Sequence, residues 1–216
     1  MKMAKTNYEW LTTPRGVLVY PHLIEPDTKF VKPDGEYHTK FALPADSDEA
    51  NALIADLNRI MDAYIELNPD ELNTAKLKKA GRADLYEEEV DDEGEETGRI
   101  IFKFKLKAKV KTKTKSWDQQ PRLFDGQAQP VAEGVNPWTG SEAKISAEVF
   151  PYYMETTKMF GLSLRCQAVQ ILKLVSGQSK SGGDFGFGEE DDAYVGEAGS
   201  EGFTPQSGDD EDGEEF

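Results

Sequence analysis

Cysteine is nearly absent. Cys166 is the one thiol in 216 residues, which excludes an intramolecular disulfide and any multi-cysteine zinc or iron–sulfur site. Histidine occurs twice, at His22 and His38, both in or near turn-forming sequence, and no Cys–His nucleophilic pattern is supported. No run of about 18 apolar residues occurs, and the opening MKMAKTNYEWLTT lacks a signal-peptide core. A soluble, cytoplasmic chain without a membrane partner is therefore expected. There is no G-x-x-x-x-G-K-S/T loop, no G-x-S-x-G elbow and no H-E-x-x-H helix. The acids of residues 84–96 lack the alternating ligands and distal Glu of a calcium loop. No enzyme, cofactor or metal site is expected.

Acid, in contrast, is in excess and unevenly placed. The formal net charge is −16, yet residues 181–216 carry 13 acids and no base, and residues 84–96 carry nine more and no base. The remaining chain holds 19 acids against 25 bases. A basic body with two acidic appendages keeps nucleic acid open as a partner, although the overall pI near 4.6 argues against it. The tail 178–216 is rich in Gly, Ser and acids, buries too little apolar surface to offset its ordering entropy, and is predicted to be disordered. The block 84–96 reads as a loop.

Along the body, RGVLVY (15–20) predicts a strand before Pro21, followed by an irregular segment to Gly35. Glu36 to Leu43, closed by Pro44, predicts a second strand. Asp46 with Glu49 resembles a capping box, and Ala50, Leu53, Ile54, Leu57, Ile60, Met61, Tyr64 and Ile65 follow with a helical period. Pro69 can start a shorter helix ending near Gly81, giving a helical insertion over about 46–81.

From Ile100 to Lys115 lysine takes every second position: Lys103, Lys105, Lys107, Lys109, Lys111, Lys113 and Lys115. A period of two places all seven on one face of one strand, opposite Phe102, Phe104, Leu106 and Ala108. Such a row is either a solvated strand face or a track for phosphates. Residues 118–143 read as a long polar loop, in which Trp138 is either a plug on the core or an exposed stacking surface. Ala143 to Phe150 predicts a strand broken by Pro151. Gly161 to Val175 predicts the last strand, with a phase slip near Ala168 that needs a bulge or burial on both faces. Cys166 falls on the apolar side as a small buried hydrophobe.

About five strands with a helix between the second and third, and no strand–helix–strand repetition, predict a mainly β fold. A five-stranded OB-type Greek-key barrel over residues 1–177 fits, followed by the disordered acidic C-terminal tail. Single-stranded nucleic acid requires cations for phosphates and aromatic faces for bases. The lysine row supplies the first. Trp117, Trp138, Tyr152 and Tyr153 are candidates for the second, with Arg165 on the polar face of the last strand. Of the adjacent tyrosines, an extended backbone turns one inward and one outward. The closing Asp209, Asp210, Glu211, Asp212, Glu214, Glu215 and Phe216 form an acidic anchor tipped by an aromatic, suited to a basic pocket with an apolar slot. A generic solubilising role is the alternative. An acidic DNA mimic or host-takeover inhibitor is the competing function, and RNA is an alternative ligand.

The stretch VYPHLIEPD (19–27), the spacing of Tyr37, Phe41 and Pro44, the strand GLSLRCQAVQ (161–170) and the tail closing on Phe216 are together similar to the phage-encoded OB-fold single-stranded DNA-binding proteins, the family that includes Enterobacter phage members. The resemblance covers about residues 13–175 and the tail tip. It implies an OB barrel, sequence-tolerant binding of single-stranded DNA, and a role in phage replication, recombination and repair in the host bacterial cytoplasm. It further implies a tail that contacts phage DNA polymerase and helicase-primase. A homodimer is compatible with the sequence.

Overall fold

The structure, a computed structural model, describes residues 8–67, 81–91, 93–132 and 134–176. The expected helix after Pro69 and the expected disorder of residues 178–216 lie outside the described residues. The described elements in chain order are β1 (Glu9–Thr12), β2 (Gly16–Asp27), β3 (Glu36–Pro44), α1 (Asp48–Leu67), β4 (Gly81–Arg82), β5 (Glu87–Val90), β6 (Glu96–Lys107), β7 (Lys109–Lys111), β8 (Ser116–Asp118), β9 (Arg122–Phe124), β10 (Glu142–Met154) and β11 (Met159–Lys173).

Five long strands close on themselves. β2 pairs with β3, β3 with β6, β6 with β11, β11 with β10, and β10 returns to β2. The β6–β11 pairing is parallel and the other four are antiparallel. This is the five-stranded Greek-key barrel that the strand count predicts. Closure follows from alternation. Phe102, Phe104 and Leu106 of β6 are buried while Lys103, Lys105 and Lys107 between them are exposed, so one face of each strand fills the barrel and the other meets solvent. Phe41 and Phe104 meet edge to face inside, with ring centroids 5.9 Å apart.

The helix is found where its periodicity places it, but its cap is Ser47 rather than Asp46. The Ser47 Oγ accepts the Ala50 N–H at 3.1 Å, which satisfies one of the helix's free donors. Ala50, Leu53, Leu57, Ile60 and Met61 are buried, and α1 packs against β3, β10 and β11.

Several boundaries differ from the sequence reading, each for a local reason. β2 does not stop at Pro21. Tyr20 adopts a positive φ of 49° and the β2–β3 register slips between Val19 and His22, so the proline sits in an irregularity where the ladder is already interrupted. β10 likewise continues through Pro151, which pairs with Leu162 of β11. Its other neighbour, β1, ends at the Glu9–Val149 pair, so a missing N–H there can face an unpaired edge. The acidic block 84–96 is not a loop throughout. β5 is an exposed strand in an antiparallel hairpin with β6. The segment 118–143, expected as a long polar loop, contains β9, which runs parallel to β11.

The phase slip in the last strand is a bulge. Ser146 pairs with Ala168 and Ala147 with Cys166, which leaves Gln167 as the extra residue. Cys166 is fully buried, and burial pushes its thiol pKa up to about 12, so it carries no thiolate at neutral pH.

Candidate nucleic-acid interface

The seven lysines do not share one strand. β6 stays on the barrel only as far as Lys107. At Ala108 the chain leaves it, and β7 and β8 form a separate two-stranded hairpin. The turn of that hairpin is made by Thr112, whose Oγ1 accepts the Lys115 N–H at 2.9 Å while its own N–H donates to the Lys115 carbonyl at 2.7 Å. Lys103, Lys105 and Lys107 thus lie on the barrel, Lys109 and Lys111 on the hairpin, and Lys113 and Lys115 at its turn.

Between barrel and hairpin runs a groove of about 670 Å³. Lys105 and Lys107 of β6 form its floor together with Arg165 and Ser163 of β11. Val110 and Trp117 come from the hairpin, and Tyr152 and Met154 from β10. The groove shares Lys105, Tyr152, Leu162 and Ser163 with a smaller depression of about 230 Å³ that reaches Lys103, Glu87 and Tyr86. Two of the four candidate aromatics line it, Trp117, which is 45% exposed, and Tyr152. Tyr153 takes the inward parity and packs on Phe160, ring centroids 5.0 Å apart.

Trp138 is exposed at 54%, so it is not a core plug, but it is not among the groove residues. Its backbone N–H donates to the Val175 carbonyl at 2.7 Å, where β11 has ended. Tyr8 is a groove residue that strand parity does not reveal, because it precedes the first predicted strand. It stacks on Phe150, with centroids 6.4 Å apart.

The cations differ in how they are held. Lys103 is paired with Glu87 of the acidic hairpin, Lys109 with Asp118 at 3.3 Å, and Lys111 with Asp34. Surface pairs of this kind contribute about 0 to 1 kcal/mol, so a phosphate can displace the carboxylate at little cost. Lys105 and Lys107 have no ion pair among the described residues. The Arg165 guanidinium lies 4.1 Å from the centre of the Phe150 ring, and its Nη1 is 3.5 Å from Glu148. Both contacts hold the plane over the groove face. The acidic hairpin is fixed by Glu89. Burial raises its carboxyl pKa, but hydrogen bonds from Thr97 at 2.6 Å and Arg99 at 2.8 Å outweigh this and leave it below the usual range. Among the described residues no cluster of His, Cys, Asp and Glu could hold a metal ion, and no helix is long and apolar enough to cross a membrane.

Tyr152 lies directly over Gly161. A Cβ at Gly161 would come within 2.4 Å of the ring, so the ring keeps this position in the groove lining only against glycine. Tyr152→Ala is expected to weaken oligo-dT binding by about 1 to 3 kcal/mol, the range for one base–aromatic stack. Equilibrium titration checks this, with thermal unfolding as the control for fold.

A closed five-stranded barrel with cations and aromatic rings along one outer groove defines an OB-type single-strand nucleic-acid-binding protein. The family profile described as single-stranded DNA-binding protein, bacteriophage T7, matches residues 14–174, and the chain belongs to that family. The family's function is binding, without an enzymatic step. The crystal structure of gp2.5, a single-stranded DNA-binding protein encoded by bacteriophage T7, matches with a TM-score of 0.63 and 17% identity, over 88% of this chain and 100% of that one. The C-terminally truncated single-stranded DNA-binding protein from bacteriophage Enc34 matches with a TM-score of 0.49 and 13% identity, over 77% of this chain and 87% of that one. The Enc34 protein in complex with ssDNA matches with a TM-score of 0.49 and 14% identity, over 77% and 88%. No curated protein sequence matches the chain.

Proposed function

We propose that this protein coats and protects single-stranded DNA without marked sequence preference during phage replication, recombination and repair. The observation that carries this reading is the groove, where Lys105 and Lys107, without an ion pair among the described residues, and the planar Arg165 lie beside Trp117 and Tyr152. Cations supply salt-dependent affinity for phosphates, and ring faces accept any base. The family membership supports the same ligand.

Residues 181–216, with 13 acids and no base, act in this reading as a competitor for the groove cations and as a docking segment for phage DNA polymerase and helicase-primase. Phe216 is the apolar tip of that segment. A homodimer is compatible with this scheme. The experiment is oligo-dT titration by intrinsic tryptophan fluorescence across a salt series, comparing the full chain with a chain ending at residue 180. Salt-sensitive quenching is expected, stronger after truncation and largely lost in Trp117→Phe. Unchanged affinity on truncation would reject the competition. Absence of binding by both would reject the function and favour an acidic mimic.

A further inference from the structure

The only two histidines of the chain lie side by side on the barrel surface, and the strand register carries them into line with the groove. His22 of β2 is opposite His38 of β3, and their ring centroids are 4.7 Å apart. His38 is opposite Lys105 of β6, and Lys105 is opposite Arg165 of β11. Four outward-facing basic side chains thus form one row across four adjacent strands, about 14 Å long at about 4.8 Å per strand. The groove reaches β3 at Glu36, two residues from His38 on the same face.

Resting on the reading of that groove as a single-strand site, we infer that the DNA backbone leaves it across β3 and sets a phosphate against His22 and His38. These bind it as imidazolium ions, so that complex formation takes up protons.

The charges facing the pair support this assignment. On β2, Asp27 Oδ2 lies 3.4 Å from His38 Nε2. The Lys29 backbone N–H donates to Asp27 at 2.7 Å, and this bond, with the His38 contact adding to it, holds the carboxyl below its usual range. A permanent carboxylate therefore stands ready to receive a charged imidazole. On β3 the neighbours on the same face are Glu36 and Lys40, and Glu36 is itself opposite Lys107. On β6 the facing groups are Lys103, Lys105 and Lys107. An imidazolium directly opposite Lys105 places like charges together, which is destabilising. A phosphate bridging the two removes that cost, which couples protonation to binding. Imidazole is the side chain whose charge changes near neutrality, and the chain holds no third one.

The test is oligo-dT affinity of the full chain at fixed salt between about pH 5.5 and about pH 8. Binding about tenfold tighter at the acidic end is expected, the worth of one charge-assisted contact. The slope of log affinity against log salt should also steepen there by about 0.7. His22→Gln/His38→Gln should bind as the native chain does at the alkaline end and lose the pH response. His22→Lys/His38→Lys should bind at every pH as tightly as the native chain does at the acidic end. Both positions are on the surface, and thermal unfolding confirms the fold of each variant. A native affinity that does not change with pH overturns the inference, as does a pH response retained by the glutamine variant, which would place the protons on carboxylates. Absence of a complex at every pH overturns the single-strand reading of the groove and this inference with it.

Discussion

Replacing Lys105, Lys107 and Arg165 together with alanine is expected to lower oligo-dT affinity about 100-fold at about 0.1 M salt and to reduce the slope of log affinity against log salt by about 2, at about 0.7 per lost phosphate contact. These three are chosen because they converge on one groove from β6 and β11, and the two lysines are not held by a carboxylate among the described residues. Lys103, Lys109 and Lys111 already have acidic partners, so the gain from a phosphate there is reduced by the pair it replaces, about 0 to 1 kcal/mol each. Lys113→Ala/Lys115→Ala at the hairpin turn should change the slope by less than the triple. Equal effects from the two sets would mean that charge acts at long range, without a defined track. Fluorescence titration at four or more salt concentrations separates these outcomes.

Gly16→Ala is expected to destabilise the fold by about 2 to 3 kcal/mol, the usual cost of overpacking a filled core, and to lower Tm by about 4 to 12 °C for a chain of this size. A Cβ at Gly16 would stand 2.4 Å from the Phe41 ring and 2.8 Å from the Ala42 carbonyl oxygen. Phe41 is fully buried, and the carbonyl belongs to the β3 backbone, so neither can withdraw without moving a barrel strand. The site is also where β2 meets β10, through the Gly16–Ala143 pair, and a shift there loosens barrel closure. Gly161→Ala is a useful contrast, since its obstruction is the outer end of the Tyr152 side chain. That change should cost less stability and more DNA affinity. Differential scanning calorimetry beside oligo-dT titration reads both.

The elements that strand parity and helical period could find are those whose one face is buried. α1, and β3 as far as Phe41, keep their period because each has core on one side and solvent on the other, whereas β11 changes phase at the Gln167 bulge. β5 was not legible because EEEV buries almost nothing. Its place is set by pairing with β6 and by Arg99, which no local pattern announces. The lysine row read as one strand because its alternation continues through Thr112 to Lys115 without Gly, Pro or Asn to mark a turn. The turn there rests on a threonine hydroxyl instead. A proline in sequence marks a strand end, but Pro21 lies in an irregularity and Pro151 beyond the end of β1. For the site, parity places Lys103, Lys105, Lys107 and Arg165 on the outer faces of β6 and β11, as the structure has them, but misses that the chain leaves the barrel before Lys109. The separation of Trp138 from Trp117, and the part played by Tyr8, depend on how loops return to the barrel, which is tertiary information.

The parallel joint between β6 and β11 has a consequence for how the molecule forms. It consists of two residue pairs, Leu164 with Phe104 and Lys105 with Arg165. Each partner is separated by 60 residues of chain, whereas β2–β3 and β10–β11 are local hairpins. Joining distant segments carries a loop-closure cost that near neighbours escape. This seam is one of two short long-range joints that complete the barrel, the other being β2 with β10, and two of the groove cations meet only when it shuts. A polyanion lying across Lys105 and Arg165 binds the closed barrel and not the open one. By mass action a ligand with that preference works as a clasp that shifts the folding equilibrium toward the native state.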